Sequence, residues 1–342
     1  MEQVDLSRYE VAGVMGAGAD YEARAAIDRE TGKQVVLKRP EPQMIRRQLH
    51  AGIEARTDRT LQVRQQVGDT IPRVVAILGY TERRNHDAYF GDSLGQAYRV
   101  IVEERAAGIP LVGDIKARFT GVPIGAGQNL FALFPLVHPE TSPPFAVLRQ
   151  LLDVEAVFLQ AGYLLLDLRP HNVFYQPDSG RITVIDCGAL TALHEASESS
   201  GKLQPDVHDF CLEMLKFYTT PQPPPAQVRA YREPYGLRPV VNFEHELDQM
   251  ARQFQTVADR AVQEMALVLI NQVRQRAYAA LDDFRRDLTT YLEAAASAHQ
   301  ALPNLAEVQQ VWAEALDWLR EDYWQRYLFD ADTALAVLRR SL

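Results

Sequence analysis

Short apolar runs separated by turn residues follow one another along residues 9–38, the pattern of strands joined by tight turns. Tyr9–Met15, Tyr21–Ile27 and Gln34–Lys38 read as an antiparallel meander, with Gly16-Ala17-Gly18 and Glu30-Thr31-Gly32 at its turns. The spacing becomes helical over 42–67, where Met44, Ile45, Leu49 and Ile53 predict one helix. Pro72–Leu78 and Tyr98–Glu103 read as two further strands, the second with Val100, Ile101 and Val102 as its apolar core. Residues 112–143 are punctuated by Gly and Pro and predict a linker or insertion. Phe145–Gln160 is patterned as an amphipathic helix. Tyr163–Asp167 and Ile182–Asp186 are short apolar runs that each end in an aspartate, and Val207–Tyr218 is patterned as a buried helix. Pro221, Pro223, Pro224 and Pro225 break the chain. Helical stripes follow through Leu247, Met250, Phe254 and Val257, and through Val273, Ala277, Leu281, Phe284 and Leu288. Beyond Pro303 a last helical stretch carries Trp312, Trp318 and Trp324. Strands first and helices later predict an α+β protein of two unequal lobes.

Composition narrows the function without naming it. The 342 residues are 47% hydrophobic and 24% charged, an ordinary globular balance. A net charge of −9 argues against a nucleic-acid binder that works through bulk positive charge. The one notable basic cluster, Lys38, Arg39, Arg46 and Arg47, fits a solvated helix face. Cys187 and Cys211 form neither a disulfide framework nor a zinc pattern, so a reducing compartment is expected. The polar, acidic start Met1-Glu2-Gln3-Val4-Asp5 is unlike a signal peptide, and runs such as Leu130–Val137 are too short to span a bilayer. A cytoplasmic protein without a membrane or nucleic-acid partner is the expectation.

The chemistry concentrates in Leu166-Asp167-Leu168-Arg169-Pro170-His171-Asn172-Val173, followed by Ile185-Asp186-Cys187-Gly188. Phosphoryl transfer needs a carboxylate beside the attacking hydroxyl and oxygen ligands for Mg²⁺ beside the phosphates. Asp167 suits the first task, and Asn172 and Asp186 the second. Arg169 suits neutralisation of the transferred group. Asp-Leu-Arg-Pro-x-Asn followed by Asp-x-Gly resembles the catalytic loop and metal motif of the protein kinase family. Gly16-x-Gly18 between strands, with Lys38 in Val35-Val36-Leu37-Lys38, is similar to that family's glycine-rich loop and phosphate-pairing lysine. Strand rather than helix after the glycines excludes a Rossmann site, and no Gly-Lys-Ser/Thr phosphate loop occurs.

The resemblance covers about residues 9–218 and implies a two-lobed protein-kinase-like fold, with a β-rich N-lobe, a helical C-lobe and extra C-terminal helices. It implies an N-lobe over 1–103, a C-lobe core over 104–226 and a helical completion or extension over 227–342. ATP and Mg²⁺ are the implied cofactors. Glu54 is the implied partner of Lys38, with Asp58 one turn on as the second candidate. Val102, Glu103 and Arg105 are the implied strand and hinge at the adenine, with Val102 controlling the back of the pocket. Asp206 is either the family's buried brace for the catalytic loop or a helix N-cap, readings that are compatible.

Four departures qualify the likeness: Tyr21 stands where the third glycine belongs, and Leu165 and Leu166 replace the usual His and Arg. Cys187 replaces Phe in the metal motif, and the stretch from Cys187 to Pro205 is short, without an Ala-Pro-Glu element. The chain thus resembles a divergent bacterial serine/threonine-kinase-like protein with a shortened activation segment, acting on a protein substrate or regulatory partner. A nucleotide-binding pseudokinase scaffold and a kinase-fold small-molecule phosphotransferase are the alternatives. Without the arginine before Asp167, a phosphate on the segment after Asp186 lacks its usual partner. Phosphatase treatment is therefore expected to leave any transfer activity unchanged in a labelled-ATP assay.

Overall fold

The computed structural model describes residues 1–68, 71–111, 143–176, 179–193, 205–221 and 240–310. The chain is mixed α+β, with a β-rich N-terminal sheet and helices after it. It divides into two compact units. The first comprises Met1–Ala107 together with Ile185–Leu190, a segment that the sequence division left in the C-lobe core; the rest of the described chain forms the second.

In the first unit the strands are β1 (Glu2–Gln3), β2 (Tyr9–Ala17), β3 (Tyr21–Asp28), β4 (Gln34–Pro40), β5 (Ile77–Tyr80) and β6 (Ile101–Glu104). They lie in the order β1-β5-β6-β4-β3-β2, antiparallel except for the β1–β5 pair. Two register shifts, at Val11/Gly13 and Val14/Gly16, bend β2 as it approaches its glycines. The β3–β4 turn is organised by Asp28, which accepts from Thr31 Oγ1 at 2.8 Å and from the Glu30 amide at 3.0 Å, and pairs with Arg8 at 2.7 Å. Gly32 supplies the positive φ of +68° that the turn requires. The hydrogen bond from Arg8 holds the Asp28 carboxyl below the usual carboxylate range.

Alternation sorts the side chains of β4 to opposite faces. Val35 and Leu37 join Leu6, Tyr9, Ala26, Tyr98, Val100 and Val102 in a core covered by Ile45, Phe90 and Leu94. The residues between them face the other way, where Ile77 and Ile101 pack against Leu61. Leu61 lies on α2 (Ala51–Val67), which follows α1 (Pro42–Arg46). The single helix expected over 42–67 is thus two. The break falls at Gln48, whose φ is 58°, and Leu49, part of the apolar periodicity, is 58% exposed. The strand expected over 72–78 begins only at Ile77, because Arg73 takes a turn conformation with φ 65°. A short α3 (Asp87–Phe90) brings Phe90 over the core.

In the second unit β10 (Arg181–Val184), β9 (Val173–Gln176) and β7 (Ile109–Pro110) form one small sheet, and β8 (Tyr163–Leu165) leads into the Asp167 loop. The helices are α4 (Pro143–Gln160), α5 (Val207–Tyr218), α6 (Phe243–Phe254), α7 (Arg260–Arg274) and α8 (Leu281–Gln300). α7 packs against α5, α6 and α8, and α8 also meets α4. Asn242 and Asp259 cap α6 and α7 through amide hydrogen bonds of 3.0 Å each. Leu247, Met250, Phe254, Val273, Phe284 and Leu288 are buried, but the stripe expected through Val273, Ala277 and Leu281 crosses the break between α7 and α8, where Arg276 turns with φ 49°, and Val257 lies beyond the end of α6. Among the described residues no helix is long and apolar enough to cross a membrane. The linker expected over 112–143, apart from its last residue, and Trp312, Trp318 and Trp324 lie outside the described residues.

Gly108 enters this unit with φ +92°, and a Cβ there would come within 2.3 Å of the Tyr175 carbonyl oxygen. Gly108→Ala is expected to cost about 2–3 kcal/mol through backbone strain and displacement of β9, read from urea unfolding midpoints.

Candidate functional site

The chemistry-bearing residues fall into two groups, one in each unit. In the first, β4 places Lys38 opposite Ile101 of β6, on the face that also carries Glu103. The Lys38 ammonium lies 3.0 Å from Asp186 Oδ1 and 4.8 Å from the centre of the Tyr21 ring. Asp186 adopts the left-handed φ of 66°, uncommon for a residue with a side chain. Its Oδ1 also accepts the Gly188 amide at 3.0 Å. A Cβ on Gly188 would meet that oxygen at 3.0 Å and the Tyr21 ring at 3.5 Å, which accounts for glycine there.

Helix α2 holds this segment. Thr60 donates to the Cys187 carbonyl at 3.2 Å, and Arg59 donates to the Leu190 carbonyl at 3.2 Å. Tyr21 is buried. Its hydroxyl bonds Thr57 Oγ1 at 2.8 Å and donates to the Ile53 carbonyl at 3.3 Å. It therefore joins β3 to α2 beneath Lys38. Burial works against charge on Lys38, but Asp186 and Glu103 outweigh it and hold the ammonium's pKa above its ordinary value. Burial likewise pushes the Glu103 carboxyl up, with Lys38 opposing. It pushes the Cys187 thiol to about 12, which leaves that sulfur an unreactive packing group.

Three expectations change here. Glu54 does not meet Lys38: its carboxylate accepts the Arg99 amide at 3.0 Å and pairs with Arg83 at 2.7 Å. Asp58 pairs with Arg83 and, at 3.4 Å, with Arg99. The reason is helical phase. Ile53, Thr57 and Thr60 form the stripe of α2 that engages Tyr21 and Cys187, and Glu54 and Asp58 occupy the next stripe round. Val102 does not face Lys38 either. It pairs with Leu37 and is fully buried in the core on the opposite side of the sheet, so Ile101 and Glu103 hold the Lys38 face. Of the remaining candidates, Gly16 pairs with Ala23, and the Gly18 amide donates to the Tyr21 carbonyl at 2.8 Å, closing the turn between β2 and β3. Arg105 donates to the Gln34 side chain, and burial lowers its guanidinium to about 10.

The second group gathers around Asp167, which also takes a left-handed φ of 65°. Its carboxylate receives Arg169 through Nε and, at 3.1 Å, through Nη2. Asn172 donates to the Asp167 carbonyl at 2.8 Å and to its Oδ2 at 3.3 Å. The loop backbone is held from behind. Leu168 donates its amide to Glu213 at 3.2 Å, its carbonyl accepts the Tyr218 hydroxyl at 2.6 Å, and the Leu165 amide reaches both Glu155 oxygens at 3.3 Å. Glu155 and Glu213 are buried, and burial pushes Glu213 up to about 7 and Glu155 well above its ordinary value. The sequence holds a signal for both, an acid inside an apolar helical stripe, that the motif reading passed over. Asp206 is not the brace. Its side chain caps α5 through the His208 amide at 2.8 Å and pairs with Arg276 at 2.5 Å.

Among the described residues, no group of three or more His, Cys, Asp or Glu side chains is placed to hold a metal by itself. No family model matches the chain, and a search of curated proteins finds no match.

The two glutamates set a pH dependence. A carboxyl whose folded pKa lies above its ordinary 4.5 keeps its proton longer in the folded state, so stability is greatest below that value and declines as pH rises toward about 7. Glu213→Gln is expected to flatten this decline in thermal midpoints measured from pH 4.5 to 8.

Proposed function

We propose that this chain is a divergent kinase-fold phosphotransferase that passes the γ-phosphoryl group of ATP to a serine or threonine hydroxyl of a protein substrate. The observation that carries the reading is the Lys38–Asp186 contact at 3.0 Å, which joins the strand lysine to the aspartate of Asp-Cys-Gly across a long sequence separation. The donor set suits Mg²⁺, which prefers a few hard oxygen ligands. Asn172 spends its amide N–H groups on Asp167, which leaves its Oδ1 as the acceptor. Asp186 brings a carboxylate already accustomed to a cation. Bound Mg–ATP supplies the transferable group and offsets its charge.

Under this reading each residue has a distinct task. Lys38 holds phosphate oxygens, and Gly16 and Gly18 allow the backbone to approach them. Asp186 and Asn172 are the oxygen ligands. The chain beyond Glu103, toward Arg105, offers backbone groups to the adenine edge. Asp167 orients the acceptor hydroxyl and takes its proton, and Arg169 offsets charge on the group in transfer. Positioning and electrostatics carry the rate, so the left-handed aspartates and their backbone anchors matter more than any single reactive atom. A second reading, a nucleotide-binding scaffold without turnover, draws on the engagement of Glu54 and Asp58 by Arg83 and Arg99 rather than by Lys38.

Incubation with labelled ATP, Mg²⁺ and a generic basic protein, beside Asp167→Ala, separates the two. Transfer is expected in the native protein and a loss of at least about 100-fold in the variant, with ATP-induced thermal stabilisation retained. Asp186→Ala is expected to abolish that stabilisation. Normal turnover by Asp167→Ala would show that the loop is not the catalytic one, and stabilisation without transfer in the native protein would favour the scaffold.

A further inference from the structure

Glu103 is the carboxyl on the Lys38 face for which the motif accounts least. It is 9% exposed. Burying a carboxylate is costly unless a cation is near, and the nearby charges it feels are Lys38, Asp186 and Arg64. The register explains its aim. Lys38 lies opposite Ile101 and Val36 opposite Glu103, so Glu103 is the diagonal neighbour of Lys38 on the same face, within reach of a long side chain. Lys38 spends its direct contact on Asp186. If Asp186 turns to a metal, as the phosphoryl-transfer reading requires, Lys38 loses that anion while still buried. The glutamate expected from α2 is committed to Arg83 and the Arg99 amide.

We propose that Glu103, resting on that same reading, is a positioning residue that holds Lys38 toward the nucleotide phosphates once Asp186 releases it. The counter-charge then sits on the strand next to that of Lys38, in a backbone ladder, instead of on a helix. A shift of α2 cannot withdraw it, so the lysine stays aimed without a helix-borne switch.

The test is Glu103→Gln, which keeps the shape and removes the charge. The readouts are Mg–ATP affinity by titration calorimetry and the nucleotide-free thermal midpoint, in the native and Lys38→Met backgrounds. In the native background the affinity is expected to fall about tenfold while the midpoint holds or rises, because the burial of a carboxylate is relieved. In the Lys38→Met background the same change is expected to leave affinity unaltered. An unchanged affinity, an equal loss in both backgrounds, or a loss that follows a falling midpoint overturns the inference and leaves the phosphoryl-transfer reading standing. Native protein that binds no Mg–ATP overturns that reading, and the inference with it.

Discussion

A lysine buried on one face of a sheet stays charged only if an anion follows it out of water. Lys38 is such a lysine, and much of the first unit is arranged around it. Asp186 supplies the anion at 3.0 Å, Tyr21 lays its ring against the ammonium, and Glu103 adds a second negative charge. This explains why Ile185–Leu190, remote in sequence, belongs with the N-terminal sheet. The segment is held by more than charge. Thr60 and Arg59 of α2 hydrogen-bond its carbonyls, so the helix, the lysine and the aspartate constrain one another.

The second unit meets a related demand with backbone amides in place of an ammonium. A loop that holds Asp167 in a left-handed conformation needs its peptide groups satisfied, or the strain would be released by rearrangement. Glu213, Glu155 and Tyr218 meet that need from α4 and α5, and the two buried carboxyls accept raised pKa values as a consequence. Both aspartates of the motif thus sit in the same uncommon backbone region, and groups outside the motif, Lys38 for Asp186 and Glu213 behind Asp167, help to fix each. The Asp167 carboxylate is in turn held by Arg169 and Asn172.

Strand runs at Tyr21–Ile27 and Gln34–Lys38 around a Thr-Gly turn were enough to read the hairpin, and helical stripes were enough for α4, α5 and α6 but ran across the break between α7 and α8. The motif aspartates and Asn172 were legible too, because their spacing is a property of one short stretch of chain. Legibility ended where the phase of an element decides what a residue faces. One residue of register sends Val102 into the core on one side of the sheet and Glu103 to the Lys38 side. One stripe of α2 separates Glu54 from Thr57, and the break at Gln48 that starts that helix afresh has no apolar signature.

The sequence by itself determined the order of strands and helices in outline, the spacing of Asp167, Asn172 and Asp186, and the absence of a bulk positive charge. Local periodicity and local spacing record those things. Only the tertiary structure decided which carboxylates stand beside Lys38, which glutamates hold the Asp167 loop, and that Asp206 is a helix cap. Those outcomes depend on contacts between segments far apart in the chain, where burial makes each charge seek a partner that no local pattern specifies.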